Sequence, residues 1–388
     1  MSQALVNPHL LRWARERAHL PLDVVAKRVG TRPESVSSWE VGDHKPTFKQ
    51  AQNFAHAVHI PFGYLFLPEP PVETLPIPDL RTVGNSRLTA PTPEFRDLIA
   101  DVLRKWNWYR DYLREQQQEP VAYVGAFTRN NRPEDVAANI TETLRIDREL
   151  RESCRSWEEF LSRLIIRAED AGVWVMRNGV VGNNTHRPLT VDEFRGFALC
   201  HPLAPLVFIN GSDAKAAQIF TLAHELAHLW IGESGISNLS LVASADEVGN
   251  DIERFCNKVA SQVLVPQESF LEAWQPTDDL SRNADLLARH FRVSTVVISR
   301  RAYDLGFISR DDHWNYYESQ KARWTRDDGD RGGGGDFYRT LKVRNGARFS
   351  RAVLGSAFEG QLLYRDAAAL LGVKVGNLDK FAAELKVR

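Results

Sequence analysis

Residues 224–228 read His-Glu-Leu-Ala-His. On a helix, His224 and His228 stand four apart on one face, so both imidazoles reach a single zinc ion. Glu225 lies beside them, placed to take a proton from the water that such a metal activates. Two imidazoles leave the site incomplete, because hydrolytic zinc takes three protein ligands and keeps one position open. Glu253, opening the run Glu-Arg-Phe-Cys-Asn, is the expected third ligand, supplied by a second helix that crosses the first. Asn257, one turn further on, is expected to accept the free N–H of a ligating imidazole and so fix its ring. Cys256 reads as a small buried apolar residue rather than a fourth ligand. The alternative is a pair of surface histidines and a solvated glutamate. The apolar context of Ile219, Leu222, Ala223, Leu226, Ala227 and Leu229 argues against it, since polar groups in such a helix need partners. An oxyanion donor is not fixed by the spacing; His201 and Asn210 are the candidates.

The elements that must position these groups follow from periodicity. Helices are predicted over 214–231 and 250–264, the second ended by Pro266, and further helices over 93–117, 133–145 and 157–171. Val173–Met176 and Leu206–Ile209 read as strands, with Phe194–Leu199 pairing with one of them. Leu206–Ile209 is expected to offer its edge to an extended peptide. Two short helices are predicted in 281–306, and two amphipathic ones over 337–358 and 364–387. Residues 9–66 are a series of short helical stripes with brief connections, as in a compact all-α domain. Pro68–Pro78 holds five prolines in eleven residues and reads as an extended linker; the glycine run Arg331–Asp336 reads as a flexible loop. The expected class is mainly α with a small β-sheet (α+β). The expected division is 1–67, 68–150 (Pro-rich linker and helical region), 151–310 and 311–388 (basic helical module).

Composition narrows the class. The 388 residues are 43% hydrophobic and 26% charged, as in ordinary globular proteins. A net charge of -1 excludes a polyelectrolyte that binds nucleic acid by charge alone. Charge is uneven: residues 1–67 carry eight Lys/Arg against five Asp/Glu, and 337–388 carry ten against four. Three scattered cysteines argue against a disulfide framework and for a reducing cytoplasm. No signal peptide and no apolar run long enough to span a membrane is expected.

The run Phe220-Thr221-Leu222-Ala223-His224-Glu225-Leu226-Ala227-His228 resembles the start of the ImmA/IrrE metallopeptidase motif. Its second half resembles Glu253 followed by Asn257-Lys258-Val259-Ala260 and Val263-Leu264-Val265-Pro266. The resemblance implies a zincin-like fold, zinc on His224, His228 and Glu253, and Glu225 as catalytic base. Ala227, Cys256 and Val259 depart from the family's usual Gly, Ala and Phe, changes of packing size. Leu287, Phe291, Val293, Ser294, Arg301 and Leu305-Gly306 resemble the family's following module, which is similar to a winged helix. The likeness covers about 157–310.

Residues 9–66 resemble the Xre/Cro-like helix-turn-helix family, most specifically in Ser38-Trp39-Glu40-Val41-Gly42 followed by Pro46. The resemblance implies a recognition helix over about 33–41. Arg32, Ser35, Ser37 and Ser38 would then reach bases or phosphates of operator DNA, with Lys45 and Lys49 on the backbone. A homodimer would be needed to read a palindrome. Tyr364-Arg365-Asp366-Ala367-Ala368-Ala369-Leu370-Leu371-Gly372-Val373 resembles half of a helix-turn-helix, and reads first as a packing or docking module.

The expected function is a cytoplasmic DNA-binding regulator with a zinc-dependent endopeptidase domain that cleaves a regulatory protein such as a repressor. The competing expectation is an antitoxin-like or repressor protein, as in toxin-antitoxin pairs, whose metallopeptidase fold grips a partner such as a toxin without proteolysis. A third is a hydrolase acting on something other than protein.

Overall fold

The structure, a computed structural model, describes residues 3–71, 91–237, 251–327 and 336–387. Most of the Pro68–Pro78 segment, and the Arg331–Asp336 run up to residue 335, lie outside the described residues. The chain divides into two compact units, one built from residues 1–76 and 89–99, the other from 77–88 and 100–388. The architecture is mainly α with a small sheet.

The first unit opens with α1 (Pro8–Arg17), α2 (Leu22–Val29), α3 (Pro33–Val41) and α4 (Phe48–Ala57), then a short 3-10 turn, Phe62–Phe66. The apolar stripes converge: Leu11, Val25, Val36, Phe54 and Leu65 are fully buried. Gly30 and Gly42 end α2 and α3 at φ +79 and +87, the left-handed exit that only glycine enters without strain. Arg15 grips Glu40 with two hydrogen bonds, 2.7 and 2.9 Å, joining α1 to α3. Thr47 and Gln50 form a reciprocal capping box that opens α4. The start of α5 (Pro93–Glu115) belongs to this unit and the rest to the other.

The second unit continues with α6 (Pro133–Leu144), α7 (Arg148–Ser153) and α8 (Trp157–Asp170). The strands are β1 (Trp174–Asn178), β2 (Val180–Val181), β3 (Asn184–Pro188), β4 (Gly196–Leu199), β5 (Leu206–Asn210) and β6 (Gly235–Ser237). Between and after the last two run α9 (Lys215–Ile231), α10 (Asp251–Leu264), α11 (Gln267–Ala273), α12 (Leu280–Phe291), α13 (Thr295–Asp304) and α14 (Arg310–Asp327). The tail forms α15 (Phe337–Asn345), α16 (Ala347–Phe358), α17 (Tyr364–Leu371) and α18 (Leu378–Leu385). The main sheet has the order β1-β5-β4-β6, with β1 parallel to β5 and the other pairs antiparallel. This overturns one expectation. Leu206–Ile209 lies inside the sheet, hydrogen-bonded on both sides, so it has no edge for a peptide. All five residues of β5 are buried, which is why its first four read as a continuous apolar run.

The tail helices are shorter than expected. Gly346 divides 337–358 into α15 and α16. Its φ is +77, and a Cβ there would lie 2.6 Å from the Val175 carbonyl oxygen, so the chain turns tightly against β1. Gly372 ends α17 at φ +70. The tail is anchored by Trp174, which stacks on Phe349 at 4.4 Å and donates from Nε1 to the Asn345 carbonyl at 2.6 Å.

Glu169, at the end of α8, caps α16 from outside. Its Oε1 accepts from the backbone N–H groups of Ala347 and Arg348 at 2.8 and 3.2 Å. Burial nevertheless raises its pKa above the ordinary 4.5, so ionised Glu169 weighs against folding. With the folded pKa raised, this contribution to stability is present below the unfolded value and fades as pH rises through the folded one. Glu169→Gln keeps the acceptor and removes the charge. Its melting temperature should match or exceed that of the unaltered chain at pH 7, and the gap should close below about pH 4.5. A variant that melts lower at pH 7 would place the carboxylate's charge on the stabilising side.

Candidate metal centre

Helix α9 is buried continuously from Gln218 to Ile231. At about 100° per residue, its polar side chains Gln218, Thr221, His224, Glu225 and His228 fall within one arc of about 120°. The opposite side carries Trp230, stacked on Tyr123 at 4.2 Å, its indole N–H donating to Asn139 at 2.8 Å. The polar arc is thus aimed by apolar packing behind it. Gly232 ends the helix in the left-handed region, and the chain returns through β6 at the sheet margin.

Helix α10 packs against α9 and α6 through Phe255, Cys256, Val259, Ala260 and Val263. That face turns Glu253 toward both imidazoles. Glu253 Oε2 lies 3.1 Å from His224 Nε2, and Oε1 lies 3.2 Å from His228 Nε2. The two Nε2 atoms are 3.1 Å apart. One ligand atom from each of the three residues falls within 4.8 Å of the others. The outer ring nitrogens are engaged too: His224 Nδ1 is 3.0 Å from Asn257 Oδ1, and His228 Nδ1 is 3.0 Å from the Glu233 carbonyl. Such contacts put the N–H on Nδ1 and turn the Nε2 lone pair inward.

Charge follows burial. Both histidines are fully buried. Burial lowers the pKa of His224. For His228 burial is outweighed by Cys256, Glu253 and Glu225, and its pKa is raised well above the ordinary value. Glu253 resists its own burial and is held well below the usual carboxylate range by the two imidazoles. Glu225 is fully buried, its two carboxylate oxygens accept no hydrogen bond within 3.5 Å among the described residues, and burial pushes its pKa up to about 8. Two imidazoles, one carboxylate and a second buried carboxylate beside them fit a metal ion with a bound water.

Two further residues shape the site without having been singled out in the sequence. Ser237 on β6 donates to Glu253 Oε1 at 3.4 Å and sits 3.5 Å from His228 Nε2. Gly196 on β4 faces α9 so closely that a Cβ would lie 2.8 Å from Glu225 Oε1 and 2.6 Å from Thr221 Cγ2. A glycine inside a predicted strand signals such an approach; nothing in the sequence marks Ser237.

The other sequence candidates fall elsewhere. Asn210 Nδ2 donates to the Thr190 and Phe194 carbonyls, and its Oδ1 accepts from Ser212. His201 Nδ1 accepts from the Leu203 N–H and its ring packs edge-on against Trp106. Both serve local turns. Cys154, Cys200 and Cys256 are all free. In the first unit, Arg32 precedes α3; Arg32, Ser37, Lys45 and Lys49 are exposed, and Ser35 and Ser38 half-buried. The Ser38 hydroxyl donates to the Ser35 carbonyl at 2.9 Å.

Comparison with known families agrees with this geometry. A family model described as the IrrE N-terminal-like domain matches residues 168–303, which hold the whole cluster. A helix-turn-helix model matches 11–65. The chain is a helix-turn-helix domain fused to an ImmA/IrrE-type domain. The helix-turn-helix supports DNA binding, and the IrrE-like domain gives the metal cluster a protease-like fold. A third model, a domain of unknown function, matches 345–384. No curated protein matches the chain. Among the described residues no helix is long and apolar enough to cross a membrane.

Proposed function

We propose that the protein is a cytoplasmic, DNA-binding transcriptional regulator whose IrrE-like domain is a zinc endopeptidase acting on a regulatory protein partner. The observation that carries this reading is Glu225, a fully buried carboxylate beside the His-His-Glu cluster, with no hydrogen-bond partner among the described residues. His224, His228 and Glu253 would hold the zinc, and Asn257 and the Glu233 carbonyl keep the two rings in place. A bound zinc supplies Lewis acidity toward water and a peptide carbonyl. Glu225 accepts the proton from the attacking water and returns it to the leaving amine. Its raised pKa suits a group that must both take and give a proton near neutrality, and a nearby cation opposes that rise. An extended peptide would align along β6, the outer strand that carries Ser237 to the site. Through the other unit, Arg32, Ser35, Ser37 and Ser38 would face operator bases and phosphates, and Lys45 and Lys49 the backbone, in a homodimer.

The test is incubation with the protein products of neighbouring genes, read by intact mass. The unaltered chain should cut one of them. Glu225→Gln should retain zinc and lose about 10²–10⁴-fold in rate. If neither form cuts any product while both still bind one, the domain is a partner-gripping scaffold of the antitoxin kind, and the peptidase reading fails.

A further inference from the structure

A second cavity, of about 310 Å³, lies between α8, β1 and the tail helices α15 and α18. Five charged side chains border it: Glu169, Arg177, Arg339, Lys342 and Glu384. Three of them are tied to an opposite charge or to backbone N–H groups. Glu169 caps α16 through Ala347 and Arg348. Arg339 and Glu384 face each other at 3.8 Å. The two remaining cations come from two different elements, β1 and α15. Arg177, on β1, makes one hydrogen bond, from Nη1 to Gln218 Oε1 at 3.3 Å. Among the described residues it meets no carboxylate at ion-pair distance, although it is half-buried and burial lowers its pKa. Lys342, on α15, is half-buried and has neither an ion pair nor a hydrogen bond among the described residues. Ile165, Val175 and Val343 supply apolar wall beside them.

A half-buried guanidinium without a counter-charge, beside a second unpaired cation, favours an incoming anion. The anion must be small and singly charged. The volume is at the lower end for ligand pockets, and Glu169 and Glu384 in the wall repel a phosphate or nucleotide. The apolar wall requires a hydrocarbon body. We infer that this cavity is a binding site for a small organic carboxylate with an aromatic ring or short acyl chain. Its carboxylate is drawn to Arg177 and Lys342, and its apolar part rests on Ile165, Val175 and Val343. Arg177 suits the role because its planar fork matches a carboxylate's two oxygens. The site stands apart from the metal cluster and does not depend on the peptidase reading. Its walls come from both the IrrE-like domain and the tail, so an occupant would hold the two together.

Calorimetric titration and melting curves of the full chain with benzoate and octanoate test this, with benzyl alcohol and octanol as uncharged controls. At least one carboxylate should bind with a Kd below about 1 mM and raise the melting temperature, and its alcohol should bind at least about tenfold more weakly. Arg177→Gln and Lys342→Gln should each weaken the carboxylate by about tenfold or more. Lys342 is half-exposed on a helix surface, so its variant is expected to fold even if Arg177→Gln does not; an unchanged urea midpoint without ligand serves as the check. Equal binding of acid and alcohol, unchanged affinity in Lys342→Gln, or no carboxylate binding at about 10 mM would each overturn the assignment.

Discussion

Glu253→Ala is expected to lose zinc affinity by about 100-fold or more, because it removes one of three protein ligands, and loss of even an outer partner weakens such sites 10–100-fold. With metal at saturating concentration, a hundredfold loss corresponds to about 2.7 kcal/mol less zinc-linked stability. The readouts are zinc content after dialysis and the chelator-sensitive part of the unfolding free energy. The substitution also leaves two imidazole nitrogens 3.1 Å apart without the carboxylate that both now face. Asn257→Ala should have a milder effect, since it releases one ring and deletes no ligand. The sign of the pH dependence follows from His228. Its pKa is raised above the ordinary imidazole value, and an incoming metal must displace any proton held on Nε2. Zinc affinity of the unaltered chain should therefore climb as pH rises through the neutral range and level off above the raised pKa. Calorimetry in two buffers of different ionisation enthalpy would detect the released proton. A Glu253→Ala chain that keeps full zinc affinity would remove this residue from the site.

What could be read from the sequence was local. His224 and His228 share a face because a helix repeats every 3.6 residues, and that holds before anything is known of the fold. Glu253 and Asn257 follow the same rule on α10, which an apolar stripe marks independently. The helix-turn-helix was legible for a similar reason: Gly30 and Gly42 end helices whose stripes are short and dense. What was not legible depends on order in space. Leu206–Ile209 is apolar enough to be a strand, but pairing on both sides is decided by β1 and β4, neither adjacent to it in a way that propensity records. Strand β6 is three residues long, too short for a period of two to register. The tail was read as longer helices because its apolar spacing runs past Gly346. Only the close approach of Val175 and Trp174 shows why that glycine is a break. Ser237 entered the site through β6 and shared its invisibility.

Gly196→Ala tests whether that kind of spatial constraint governs Glu225. A Cβ on β4 would stand 2.6 Å from Thr221 Cγ2, 2.8 Å from Glu225 Oε1 and 3.0 Å from the Phe208 carbonyl oxygen. Each is closer than ordinary van der Waals contact, and β4 is held on both sides by β5 and β6, so the strand cannot retreat freely. Overpacking of this kind costs about 1–3 kcal/mol, measurable as a shift in urea midpoint. Activity should fall further than stability does, because one of the displaced atoms is the carboxylate oxygen that would handle the proton. The double variant Gly196→Ala/Thr221→Ala separates the two effects. Removing Cγ2 relieves one of the two shortest contacts, and much of the stability should return. The Cβ still crowds Glu225, so cleavage of any identified substrate should stay depressed while zinc, held by His224, His228 and Glu253, remains bound. If the single variant unfolds at the same urea concentration and cuts at the same rate as the unaltered chain, β4 does not press on Glu225. The position of the base would then have to be set by α9 alone.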